Sequence, residues 1–235
     1  GCYINPVDED AGAREAGLAR FREHLRYARD FGCPLVSTET GWRGRSEVAI
    51  QPLGPWGDPD DSRLWPEGHV RSDSVCALLV DSVGSLVREA EKCGSIVAIE
   101  PVTRHTIHSP ARMKRLLEAI PSPALQVLLD PINLLDGCNW QKQQEIVDEC
   151  FDLFGDRIVA VHAKDFLAPP RGSAISPETM NLRTVAVGQG SFDWAHFLAR
   201  LTKRKPFIQT LLEDCPPDQV AAARGHLEGI LASLA

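Results

Sequence analysis

Four stretches of the chain are apolar without alternation and end on, or just carry, an ionisable residue. SIVAIEPV reaches Glu100, LQVLLD reaches Asp130, RIVAVHAKD carries His162 and PFIQTLLED carries Glu213. Unbroken apolar runs of this length describe strands covered on both faces, as in a parallel sheet beneath helices. Between them the period changes. Leu18, Phe21, Leu25, Ala28 and Phe31, at intervals of three and four, predict an amphipathic helix over residues 13–31 that Gly32 stops. A strand over residues 34–41, PLVSTETG, follows and also ends near a carboxylate, Glu39. Further helices are expected over residues 73–93, closed by Gly94, and from the Ser109-Pro110 cap to residue 120. Others are expected over residues 140–154, 193–201 and 217–234, with a short strand at 184–187 entering the tight turn Gly188-Gln189-Gly190. Residues 42–68, rich in Pro, Gly, Trp and Asp and without periodicity, read as a lid or binding loop.

Strand and helix alternate throughout, which specifies right-handed crossovers and a parallel sheet. Strands centred near residues 3, 37, 98, 128, 160, 186 and 209 number seven. That count fits an α/β fold of the (β/α)8 TIM barrel type lacking its first strand and helix, with residues 1–235 as a single domain. An open doubly wound sheet would need a Gly-rich phosphate turn after an early strand. Gly188-x-Gly190 comes late and has no third glycine at the required spacing.

Composition narrows the function. A formal net charge of -7 opposes a nucleic-acid groove, and Lys203-Arg204-Lys205 reads as a solvated helix end. Seven scattered cysteines without a C-x-x-C fit neither a disulfide framework nor a zinc knuckle. Reduced, mostly buried thiols in a cytoplasmic protein are expected instead. No apolar run approaches the 18 or so residues needed to span a bilayer.

In a parallel barrel every strand points its C-terminal end at the same face. Glu100, Asp130, His162 and Glu213 would then form a ring of three carboxylates and one imidazole. Three ionised acids in one pocket raise each other's pKa, and a divalent cation resolves the conflict. Oxygen ligands with one nitrogen suit Mn²⁺, Mg²⁺ or Co²⁺, with Zn²⁺ also compatible. His105, His108, Lys164 and Asp165 lie just beyond the strand ends and are expected to line the pocket. Asp165 has an equal claim to a salt-bridged structural role, and Glu39 could orient substrate.

The series TETG, IEPVTRHTIHSP, LLDPINLL, VHAKD, VGQG-x-x-D-W and LLED resembles the sugar phosphate isomerase/epimerase family, whose fold is the xylose isomerase-like barrel. The resemblance covers nearly the whole chain in order. It implies one divalent metal held by Glu100, Asp130, His162 and Glu213. It also implies that Glu100 and Glu213 face each other across a sugar, one removing the proton next to the carbonyl and the other delivering it through a metal-stabilised enediolate. Asn133 stands where many epimerases of this group carry a His, and Lys164-Asp165 follows the His ligand closely.

The expected function is a metal-dependent isomerase or epimerase of a sugar or sugar phosphate, in carbohydrate metabolism. A dehydratase of the inosose type begins with the same proton abstraction and is the alternative, as is a non-catalytic sugar-binding barrel. A DNA-repair endonuclease of related fold would need many more histidines for its three-zinc site. The expected partner is a small carbohydrate, with no nucleic acid and no membrane. Trp42, Trp56 and Trp65 offer either a lid or a homodimer contact.

Overall fold

Helix α1 (Ala11–Asp30) begins two residues before its apolar period predicts, because Asp10 caps it. The Asp10 carboxylate accepts from the N–H groups of Gly12 at 2.7 Å and Ala13 at 3.0 Å. The computed structural model describes residues 1–43, 68–170 and 181–234. They belong to two compact units, Gly1–Leu128 and Leu129–Ala235.

In the first unit, β1 (Leu35–Glu39) is followed by α2 (Asp73–Cys93), whose end is set by Gly94 in the left-handed region at φ 68°. Then come β2 (Ile96–Glu100) and α3 (Pro110–Ala119). Ser109 caps α3 by accepting from the Arg112 N–H at 3.2 Å, with Pro110 in the first turn. β3 (Leu125–Leu129) closes the series. Leu18, Phe21 and Leu25 of α1 and Leu79, Leu86 and Val87 of α2 are buried, and the two helices pack on each other. Full burial of each large aliphatic side chain contributes about 2 kcal/mol.

The second unit runs through short 3₁₀ turns at Ile132–Leu134 and Trp140–Lys142 into α4 (Gln143–Phe154) and β4 (Ile158–Ala163). Next are β5 (Asp165–Leu167), β6 (Arg183–Val185), α5 (Trp194–Arg204), β7 (Thr210–Leu212) and α6 (Val220–Leu234). Its core is aromatic. Trp194 meets Phe197 edge to face at 5.4 Å and Phe192 at 5.0 Å, and Phe151 lies 5.7 Å from Phe197.

The strands of the main, parallel sheet pair as β1-β2-β3 in the first unit and as β4-β7 in the second. The structure departs from the sequence reading at several points. Residues near 3 form no strand; the Cys2 N–H bonds to the Ser37 carbonyl at 2.8 Å and the Ile4 N–H to the Thr38 side chain at 3.4 Å. The strand near 186 is β6, which pairs antiparallel with β5 outside the main sheet. Arg183 and Thr184 are exposed, so β6 has the pattern of a surface ribbon instead of a doubly covered barrel strand. The thiols are free as expected, but among the seven only Cys2 and Cys150 are buried. No described helix is long and apolar enough to cross a membrane.

Candidate metal centre

Glu100 is the last residue of β2 and is 1% exposed. The parallel register pairs it with Glu39, the last residue of β1, so two carboxylates sit side by side at the C-terminal ends of neighbouring strands. Glu39 also lines a cavity of about 500 Å³ with Tyr3, Asn5, Arg20 and Trp42. His105, in the loop after β2, is buried with Nδ1 3.4 Å from Glu39 Oε2 and its ring stacked on Trp42 at 5.5 Å. Burial, helped by the Arg104 charge, pushes the His105 imidazole down to about 4. It is neutral at neutral pH, and its approach to Glu39 is therefore no ion pair.

In the second unit Asp130 directly follows β3 and is wholly buried. Its Oδ1 accepts from the N–H groups of Ile132 at 2.9 Å and Asn133 at 3.3 Å, which holds one carboxylate oxygen in place and starts the 3₁₀ turn. His162 lies on β4, and Glu213 directly follows β7. The Glu213 N–H donates to the Ala163 carbonyl at 2.9 Å, extending the β4–β7 ladder and setting Glu213 beside His162. Asp130, His162 and Glu213 each offer a ligand atom, all within 4.8 Å of one another.

Lys164 enters the same group. Its Nζ donates to Glu213 Oε2 at 2.6 Å and lies 3.0 Å from Asp130 Oδ2, while Glu213 Oε1 is 3.4 Å from His162 Nδ1. Burial opposes the Lys164 charge, but Asp130 and Glu213 outweigh it and raise its pKa well above the ordinary lysine value. Burial likewise opposes the Glu213 charge. Hydrogen bonds with Lys164 and Asp130, and the charges of Lys164 and His162, nevertheless hold its carboxyl below the usual glutamate value. The sequence argument expected Lys164 to line the pocket but let only a divalent ion relieve the crowded acids, and so missed that this ammonium bridges them. Side-chain parity separates Lys164 from Asp165, since residues two apart in an extended segment share a face. Lys164 thus follows His162 while Asp165 turns the other way.

Asp165 is buried in a different role. Its Oδ1 accepts from the N–H groups of Phe166 and Phe192, both at 2.9 Å, and its Oδ2 from Gly188 at 3.1 Å. It pins the turn at Gly188–Gly190, where a Cβ on Gly190 would overlap the Asp165 carboxylate and the Phe166 carbonyl. Glu39 and His105 are together in the first unit, and His108 is buried there with Nδ1 3.3 Å from the Thr106 carbonyl. Of the loop at 42–68, with Trp56 and Trp65, residues 44–67 lie outside the described residues.

A buried and a half-buried carboxylate with an imidazole at strand ends, and a lysine ammonium already attracted to the two acids, suit a hard or borderline divalent cation. Parallel strands alternating with helices, carrying such groups at their C-terminal ends, define the class of barrels that work from that face.

The chain belongs to the xylose isomerase-like TIM barrel family, which matches residues 1–229. Solved structures agree on the fold. A xylose isomerase domain protein from Planctomyces limnophilus superposes with a TM-score of 0.70 at 18% identity, covering 98% of this chain and 69% of its own. A D-tagatose 3-epimerase-like protein gives 0.70 at 16%, covering 98% and 74%. The 3-keto-D-glucoside 4-epimerase of E. coli gives 0.67 at 17%, covering 99% and 76%. Other matches include a Mycobacterium smegmatis barrel in complex with magnesium (TM-score 0.65, 17%) and the IOLI protein with a zinc atom (0.65, 14%). The probable 3-DHS dehydratase of Bacillus anthracis matches at 0.66 and 13%. No curated protein matches the chain.

Proposed function

We propose that this protein is a metal-dependent isomerase or epimerase of a sugar or sugar phosphate, acting by proton abstraction next to a carbonyl. The observation that carries the reading is the strand-end group of buried Asp130 with the half-buried His162 and Glu213. Glu100 is assigned as the fourth ligand from the family resemblance and from its own place at the C-terminal end of β2. The ion would be Mn²⁺, Mg²⁺ or Co²⁺, with Zn²⁺ a further candidate; relatives of the fold carry magnesium in one case and zinc in another. When bound, such an ion polarises the carbonyl and hydroxyl oxygens of a substrate and makes the neighbouring C–H more acidic.

The side chains supply the rest. Glu213, held ionised by Lys164, is suited to accept a proton at neutral pH. Glu100 is the second carboxylate, which delivers a proton to the opposite face in an epimerisation. Glu39 and the neutral His105 are assigned to substrate hydroxyls, and Lys164 to a carbonyl or hydroxyl oxygen. Asp165 is left to the turn it anchors. The carbohydrate is the proposed partner. A homodimer is the other proposed assembly, with the exposed Trp42 as a contact. A cytoplasmic setting fits the free thiols.

The epimerases among the structural neighbours favour this reading, and the dehydratase among them favours a second, in which the same abstraction expels a β-hydroxyl. Incubating the Mn²⁺-loaded protein with a panel of ketoses in D₂O separates the two. Deuterium next to the carbonyl without change of composition identifies an isomerase or epimerase, and loss of water identifies the lyase. Glu213→Gln should abolish either. No deuterium uptake and no water loss with any ketose would leave a binding barrel as the better account.

A further inference from the structure

Lys164 occupies the place where the charge of a metal ion would be felt. Its ammonium reaches Glu213 Oε2 at 2.6 Å and Asp130 Oδ2 at 3.0 Å. Those residues come from the ends of β3 and β7, and Lys164 itself extends from the end of β4. It is 6% exposed and Asp130 is wholly buried, so salt barely screens their contact, while Glu213 is half-buried. Asp130 cannot swing away to share itself, because its other oxygen is tied to the Ile132 and Asn133 backbone. A divalent ion needs lone pairs on these same carboxylates. An ion within bonding distance of the oxygens that Lys164 touches would stand only a few ångströms from the ammonium, where like charges repel strongly in a buried setting.

We propose that Lys164 is a built-in competitor of the divalent ion: its ammonium bridges Asp130 and Glu213 when no ion is bound and leaves them when one enters. The inference rests on the metal reading of this cluster and adds a regulatory consequence to it. Ion affinity is set by the exchange of one cation for another, so the empty centre is partly neutralised and weakly charged competitors are kept out. The exchange needs no proton transfer, since the lysine stays protonated as it moves from carboxylates to water or substrate oxygens.

Two measurements test it. Acylation of the wild-type protein by an amine-reactive ester, read at Lys164 by peptide mass spectrometry, should be slow without metal. It should quicken at least about fivefold with saturating Mn²⁺, because the ammonium loses its buried ion pair. Mn²⁺ titration by calorimetry should give a dissociation constant at least about tenfold lower for Lys164→Met than for wild type, since a repelling charge has been removed. Lys164→Gln, which keeps a hydrogen-bond donor without the charge, covers the case in which the methionine variant fails to fold and should also bind more tightly. Unchanged or weaker Mn²⁺ binding in the folded variants, or Lys164 equally protected with and without Mn²⁺, overturns the competitor role while the metal centre stands. If neither wild type nor variants bind Mn²⁺, the metal reading and the proposal fall together. Tight binding in the variants alone supports the proposal in its strongest form.

Discussion

At the scale of single residues, burial decides which titratable groups carry charge. His105 illustrates the sign. Its pKa is pushed from 6.5 to about 4, by burial first and Arg104 second, so the folded protein binds fewer protons there than the unfolded chain. The neutral ring's contribution is complete above about pH 6.5 and is lost as pH falls towards 4, a change of at most about 3 kcal/mol. Urea midpoints followed from about pH 7 to 4.5 should therefore drop more steeply for wild type than for His105→Gln. Parallel curves would show that His105 is not the group responsible. Lys164 and Glu213 behave oppositely, because each has a partner that outweighs its burial. Their mutual attraction keeps both ionised, and replacing Glu213 by Gln removes a candidate base and one arm of the lysine bridge at once.

At the scale of elements, caps and turns place the chemistry. Gly94 ends α2 in the left-handed region and thereby starts the β2 strand that carries Glu100. Nothing lies within 4 Å of where a Cβ would stand, so Gly94→Ala isolates the backbone cost. It should destabilise the protein by about 1 kcal/mol in urea unfolding, with Gly94→Asn costing less. Gly190→Ala should cost more than either, since its Cβ would drive into the Asp165 carboxylate and the Phe166 carbonyl. Equal losses at the two glycines would contradict this account of the turn. The predicted helix at residues 73–93 coincides with α2, and Ser109-Pro110 opens α3, because caps and glycines act locally. Strands were less legible. The apolar run from Pro206 shortens to Thr210–Leu212, and Phe207 is 97% exposed, because strand length depends on partners rather than on the run itself.

At the scale of the whole molecule, the net charge of -7 and the buried acids favour a cation as ligand. A ligand that binds only the folded state stabilises it by mass action. Saturation with Mn²⁺ at about a hundred times its dissociation constant should add about 2.7 kcal/mol, seen as a raised Tm that EDTA reverses. Asp130→Asn should lose most of that shift. A wild-type Tm indifferent to Mn²⁺ and EDTA would count against the metal centre.

The sequence by itself determined the alternation of strands and helices, the polarity of the sheet and the candidate residues at the strand ends. These follow from period, caps and apolar runs, which are properties of neighbouring residues. Only the tertiary structure decided that β6 leaves the main sheet to pair with β5, that Asp165 anchors a turn, and that Lys164 bridges Asp130 and Glu213. Each of these depends on which distant groups are brought within hydrogen-bond reach. A one-residue difference in strand parity, invisible in composition, sends Lys164 and Asp165 to opposite faces and to different work.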